Sequence, residues 1–436
     1  MILLIFLLFI ILYIADLYIQ KSFIAPSALL LLSFIMAIGL IAMNTENWDV
    51  VIYEEFTLYI LSAVMAFVLG CFIMEIVCCA NVGYGEQQIQ DIEFGDNYPA
   101  VLLAFLSGVC GIAYLYLLTR DISFSGGISK ALGTIYNRAV TGSTSNFVLH
   151  QMLEIVIAVS KISVFQLFII KYFKKSKAQN AVILVPVLVS LACMVFSTDR
   201  NIILRYIIYA VCLWVLFYSN NIGESIRKRN WHIFKYAVVI LAVVVALFYG
   251  LGKAKGYTSN FERMIGIYGG SGLYNFNIYL HNFPGTELQW GSSTFSTLQN
   301  TLRALGIIDG TAADTMVIDD MIIHASSNGY VYASNVYSAM RPYLDDFGYL
   351  GMFVYPFIMG AFFEMLYYLT QRMKYGFAWI FYAVMIYPAV YFTIAEQFYA
   401  RLHLGLVYEI MWPLLFYLLI YSKIGVWKTR RSCSCV

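Results

Sequence analysis

Apolar residues fill the chain in long blocks, and the breaks between them are short and polar. The blocks fall at 2–19, 26–43, 57–79, 99–118, 149–171, 180–197, 201–218, 232–250, 347–369, 377–394 and 402–421. Most approach the roughly 20 apolar residues a helix needs to cross a bilayer core. The pattern therefore predicts a polytopic, all-α bundle of about eleven membrane-spanning helices. Its least regular parts are the short segment 180–197 and the tight turn from Ser197 to Asn201. The opening MILLIFLLFIILYIA has no basic lead and no small-residue cleavage site, so a retained span is expected there.

Between 251 and 346 the pattern changes to glycines, aromatics and amphipathic stretches. Phe295, Leu298, Leu302 and Leu305 share a helical face, and Ser292 or Ser293 is placed to cap its start. The stretch FERMIGIYGGSGLYNFNIYL begins helix-like, is expected to break at Gly269-Gly270, and resumes with polar and aromatic residues alternating. The segment is too aromatic for disorder, and long structureless loops are uncommon. Several short helices lying over the membrane surface are expected. The chain thus divides into 1–250 with eight spans, 251–346 as one large loop, and 347–436 with three spans and a tail. No repeat of fixed period and no low-complexity linker is visible.

Composition agrees: 61% of residues are hydrophobic and 12% charged, too few polar groups to cover a soluble protein of this length. A net charge of +2 makes no case for nucleic acid. The eight cysteines form no CxxC pair and several lie inside apolar blocks, which reads as free thiols in a reduced compartment. Charge placement sets orientation. Lys171, Lys174, Lys175 and Lys177, then Arg227, Lys228 and Arg229, then Arg372 and Lys374, then the tail Lys423, Lys428, Arg430 and Arg431 all fall on one side, the cytoplasmic one. The acidic loop 80–98 is an exception on that side, which the rule tolerates because acidic residues contribute little. The segments 44–56, 119–148, 251–346 and the joint holding Arg401 then face outward.

Several charges need a reason to be where they are. Asp199-Arg200 sits between two spans with almost no loop, where a charge is costly unless paired or hydrated. Either the neighbours form a salt bridge or Arg200 faces a wet cavity and holds an anion, a task suited to its planar fork. Arg138, Arg263, Arg303, Arg341 and Arg401 lie on the same outer side. Together they point to an anionic ligand at the lipid surface, with plain solvation the competing reading for Arg303 and Arg263. Glu154 and Lys161 share a helical face and are expected to pair with each other or with neighbours. His281, His324 and His403 are lone histidines, each a weak general-base candidate. The aromatics of 251–346, among them Tyr257, Tyr268, Tyr274, Tyr279, Trp290, Tyr330, Tyr332 and Tyr337, suit stacking on sugar rings, but also suit the aromatic belt found at any membrane interface. No metal or nucleotide motif appears, and Gly269-Gly270-Ser271-Gly272 lacks the context of a nucleophile elbow.

The order of STDRNIIL with Arg200, YGGSGLYNFNIYL at 268–280, GSSTF at 291–295 and SNVYSAMRPYLDDFGYLG at 334–351 resembles the oligosaccharide repeat-unit polymerases, the Wzy-type O-antigen and capsule polymerases. The resemblance covers the spans and, most clearly, residues 197–351, with Asn335, Tyr337, Asp346, Phe347, Gly348 and Gly351 leading into a span. It implies a glycosyltransferase of the bacterial cytoplasmic membrane with its active face outward. Such an enzyme moves a growing chain from undecaprenyl diphosphate to the terminal sugar of a new lipid-linked unit, with no nucleotide sugar or other cofactor. A flippase and a chain-length regulator are the implied partners. On this reading Arg200, Arg341, Arg401 and then Arg138 hold the departing diphosphate, whose charge grows as the anomeric bond breaks. Asp346, Asp345, His281 and Glu396 are, in that order, the candidate bases for the acceptor hydroxyl, by analogy with other glycosyl chemistry. Asp346 has a competing role as an N-terminal cap of the helix that follows it. Tyr268, Tyr274, Asn335 and Tyr337 are the candidate glycan contacts. The alternatives are a ligase-like glycan transferase, a lipid-linked oligosaccharide flippase or other transporter, and a non-enzymatic envelope scaffold.

Overall fold

The computed structural model describes residues 1–80, 98–140, 147–173, 180–221, 226–254, 261–283, 288–309 and 321–421. In chain order the helices are α1 (Ile2–Gln20), α2 (Pro26–Met43), α3 (Glu54–Ala80), α4 (Tyr98–Thr119), α5 (Gly127–Val140), α6 (Phe147–Phe173), α7 (Asn180–Ser197), α8 (Arg200–Asn221) and α9 (Ile226–Ala254). Then come α10 (Phe261–His281), α11 (Ser296–Ala304), strands β1 (Ile322–Ala325) and β2 (Val331–Ser334), and α12 (Met340–Arg372). The chain ends with α13 (Phe377–Met385), α14 (Tyr387–Tyr391) and α15 (Leu404–Tyr421).

Among the described residues nine helices are long and apolar enough to cross a bilayer: α1 to α4, α6, α8, α9, α12 and α15. The chain is a multi-pass helical membrane protein. Of the two remaining apolar blocks, one forms α7, an unbroken helix of 18 residues that accommodates Pro186, and the other is divided into α13 and α14, where Pro388, in the first turn of α14, cannot supply the N–H that would continue α13. Acidic loop 80–98 falls almost wholly outside the described residues, as do the lysines 174–177, Arg227's side chain and the basic tail.

Contacts divide the chain into two units. The first comprises Met1–Gly83, Thr258–Lys374 and Tyr382–Leu406. Its main crossing is α3 on α12, where Gly70 and Gly360 let the backbones touch. A Cβ on Gly70 would overlap the carbonyl oxygen of Phe357, and one on Gly360 that of Phe67. Small residues permit such approach where lipid gives no hydrophobic drive between helices. The same device shapes the long segment 251–346. Contrary to the expected break at Gly269-Gly270, α10 runs unbroken through both residues. Gly266, Gly269 and Gly270 lie against Asn44, Leu40 and Trp48, so their lack of a side chain serves a close crossing with α2 and the turn after it. The helix is largely buried, not laid over a surface.

An antiparallel hairpin, with Ile322 opposite Ser334 and His324 opposite Tyr332, adds the small strand content that an all-α reading missed. Its tip docks on the turn after α2: Ser327 donates N–H and O–H to Asp49 at 2.6 and 2.9 Å, and Asn328 reaches Glu46 and Asn47. Gly348, at φ 63°, breaks α12 into a short first piece and a long span.

The second unit comprises Tyr84–Tyr257, Tyr375–Phe381 and Val407–Val436. Helices α4, α6 and α7 pack on one another there, and α8 joins α6. The segment 119–148, expected as a loop, contains a helix, α5, that the block pattern did not predict. Polar residues stitch the interior: the Ser190 hydroxyl donates to Ser160 at 2.7 Å, Ser160 and Tyr206 share a short hydrogen bond, and Tyr209 donates to the Lys161 carbonyl at 2.7 Å.

Candidate functional site

The short first piece of α12 carries the densest set of predicted site residues. Arg341 and Asp345 are one helical turn apart and face each other, with Nε 3.7 Å from the carboxylate; both are buried. The guanidinium lies over Tyr337 at 4.0 Å and over Tyr279 at 4.5 Å. Rings on two sides and a carboxylate on a third hold its plane, and desolvated cation–π contacts of this kind contribute about 2 kcal/mol. The Tyr279 hydroxyl donates to Asp345 Oδ1 at 2.5 Å. Burial first, then the Asp345 carboxylate, pushes the Tyr279 phenol well above its ordinary range, so it remains a neutral donor.

Asp346 is completely buried and turned the other way. Its oxygens accept backbone N–H groups from Ser293 at 3.1 Å and Thr294 at 2.5 Å. It does not cap the helix it belongs to; it straps the turn that leads into α11. Ser292 and Ser293 do not cap α11 either, because both hydroxyls donate to Gln289. Glu396 plays a similar part. Its Oε1 accepts from Tyr343 O–H and the N–H groups of Phe398 and Tyr399, and Oε2 accepts from Ala400 N–H at 2.6 Å. Burial raises its carboxyl above the ordinary value although these four donors pull the other way. The turn it organises presents Arg401, which donates to the Tyr387 hydroxyl and lies 5.1 Å from that ring. Beneath sits an aromatic floor of Phe295, Tyr343, Phe347, Tyr355 and Tyr399, with Tyr343 stacked on Tyr355 at 5.3 Å.

The remaining candidates separate. His281 ends α10 with its ring stacked on Tyr53, exposed. His324 is half-buried, contacts the Trp48 carbonyl at 2.8 Å and stacks on Tyr332. Tyr274, expected to contact glycan, is buried instead: its ring stacks on Trp48, its hydroxyl donates to the Trp48 carbonyl, and burial pushes its phenol up to about 12. Tyr337 is buried as one wall of the Arg341 slot, not as an open platform. Tyr268 is half-buried and Asn335 exposed.

The other two arginines belong to the second unit. Arg200 is buried at the start of α8, and Asp199 uses Oδ1 to accept the Asn201 N–H at 2.8 Å, capping that helix. Arg138 ends α5 and donates to the Asp121 carbonyl at 3.0 Å. This unit also holds a charge network in which Glu154 and Lys161, expected to pair with each other or with neighbours, both find other partners. Glu409 lies 3.1 Å from Lys161 and 3.7 Å from Arg205, while Glu154 is 3.9 Å from His150. Lys161 pairs with Glu409 rather than with Glu154, since its closest carboxylate comes from α15. Neither Arg205 nor Glu409 was predicted; a charge inside an apolar block was the available signal. Tyr279 was read only as one of the segment's aromatics, not as a partner of Arg341 and Asp345.

Among the described residues no three His, Cys, Asp or Glu side chains gather as a metal ligand set. The fold and these polar groups define a multi-pass membrane protein with a buried, aromatic-walled arginine–carboxylate pair at one end of its first unit. No protein-family model, no curated protein and no solved structure matches the chain.

Proposed function

We propose that the chain is a membrane glycosyltransferase that polymerises lipid-diphosphate-linked oligosaccharide units at the outer leaflet of a bacterial cytoplasmic membrane. The observation that carries the reading is Arg341, a permanently charged guanidinium buried between Tyr279 and Tyr337 with Asp345 beside it. A cation fixed in place before the reaction stabilises charge that appears only as the anomeric bond breaks, and needs no reorganisation to do so. Asp345 is the better base than Asp346 or Glu396, whose oxygens are taken up by backbone N–H groups. Arg401, on a turn tied to the same helix piece by the Tyr343–Glu396 hydrogen bond, is the second phosphate ligand.

Topology supports the reading. The hairpin is tied to the turn after α2, and Thr297 of α11 donates to the Ala400 carbonyl. On the orientation expected from the lysine and arginine pattern, all four segments lie on the same, outer side. The test is reconstitution of the purified protein with lipid-diphosphate repeat units. A product ladder formed without nucleotide sugar, and lost in Arg341→Ala, is expected. A single transfer to a different final acceptor marks a ligase instead. No release of lipid diphosphate under any condition sinks both.

A further inference from the structure

Trp290 stands out because the fold holds it in a strained conformation and does not bury it. Its φ is +47°, in the left-handed region that residues with a Cβ avoid. The side chain is 76% exposed and makes no ring contact with any described residue. The strain is therefore not repaid by packing of the indole itself. The surrounding turn, by contrast, is fully tied. Gln289 N–H donates to the Asp345 carbonyl at 3.0 Å and Trp290 N–H to the Asp346 carbonyl at 3.2 Å. Phe295 N–H and the Gln299 side chain both donate to the Gly291 carbonyl. Gly291, at φ 95°, has Phe295 and Phe347 where a side chain would be. Backbone strain of this kind persists only where neighbours over-determine it, and it gathers at ligand sites.

We infer that Trp290 is a glycan platform at the edge of the Arg341–Asp345 pair, its indole stacking on the apolar face of a sugar ring. The inference rests on the glycosyltransferase reading above. Two features favour a sugar over lipid. The strap fixes the backbone of Trp290 through the main chain of Asp345 and Asp346, which ties it to the helix piece that carries Arg341 and Asp345. Its surroundings are polar: Gln289 is exposed and Ser292 half-buried, with the Ser292 hydroxyl donating to Gln289 Oε1 at 3.1 Å. A membrane anchor needs no such precision.

The test uses the full-length protein in nanodiscs with a lipid-free repeat-unit oligosaccharide and with the lipid-diphosphate unit. Trp290→Ala is expected to weaken oligosaccharide binding about tenfold and Trp290→Phe by less than about threefold, the ring face being retained. The emission difference between wild type and Trp290→Phe should be shielded from acrylamide by the oligosaccharide. Equal binding by wild type and Trp290→Ala overturns the inference. So does quenching of that emission by brominated lipid with no effect of sugar, which makes Trp290 an interfacial anchor. Wild type that forms product while Trp290→Ala is unchanged defeats the platform alone. Wild type that neither binds nor reacts defeats the underlying reading and the platform together.

Discussion

Replacing Asp346 by Asn separates a structural carboxylate from a catalytic one. The side chain is wholly buried and receives two backbone N–H groups, from Ser293 and Thr294. Hydrogen bonds to a charged acceptor contribute about 1.5–3 kcal/mol each. Asn keeps the shape and one acceptor oxygen, but turns an NH2 toward one of the two donors. One bond is lost and one buried donor is left without a partner, so a local cost of about 2–4 kcal/mol is expected. The cost falls on the turn 289–295 and not on the spans. Hydrogen exchange of Ser293 and Thr294 amides should therefore rise about 30-fold or more, since roughly 1.4 kcal/mol is a factor of ten. Asp345→Asn serves as the contrast: polymer formation is lost, because the neighbour of Arg341 is changed, while exchange at 293–294 stays as in wild type. Exchange unchanged in Asp346→Asn, together with loss of polymer, would refute the reasoning and return Asp346 to the chemistry.

Four further outcomes are expected. Glu409→Leu leaves Lys161 and Arg205 without their shared buried carboxylate and should cost about 3–5 kcal/mol in detergent unfolding, and a triple change to apolar residues at 161, 205 and 409 should recover most of it. Gly360→Ala puts a Cβ into the Phe67 carbonyl and should lower stability by about 1–3 kcal/mol, whereas Ala at the uncrowded Gly133 should change little by the same thermal assay. Arg341→Lys should not rescue Arg341→Ala in polymerisation, because a point ammonium cannot reproduce a plane held between Tyr279 and Tyr337. The Glu396 carboxyl is raised in the fold, so its protonated form stabilises the native state; that contribution is complete below the ordinary value of about 4.3 and is lost as pH rises through the folded one. Thermal unfolding across pH 4–8 should show a downward slope with pH that Glu396→Gln lacks.

Much of the architecture could be read along the chain, because a bilayer imposes a length and a polarity on every element that crosses it. Among the described residues the nine long helices coincide with expected blocks, α7 fills another, and the block at 377–394 is divided where Pro388 enters. The helix around Leu298 and Leu302 was legible from its amphipathic spacing. Arg341 and Asp345, four apart, were both named from sequence. Their contact, and the two tyrosines closing over them from α10 and the loop before α12, were not. Periodicity is a local property, and these partners are tens of residues distant. The same limit explains the errors. Gly269-Gly270 reads as a break when only the chain is considered, yet each glycine is answered by a specific atom of α2 or Trp48 that permits a continuous helix. Asp346 reads as a helix cap or a base, and its role as a strap for the turn 289–295 depended on Ser293 and Thr294 returning to it across the fold. Tyr274 and Tyr337 are chemically alike with Tyr268, and only tertiary packing decided that the first two are buried, one against Trp48 and the other over Arg341. Composition determined that the chain lives in a membrane; the long-range approach of backbones, and the charges those approaches bury, decided where its chemistry can be.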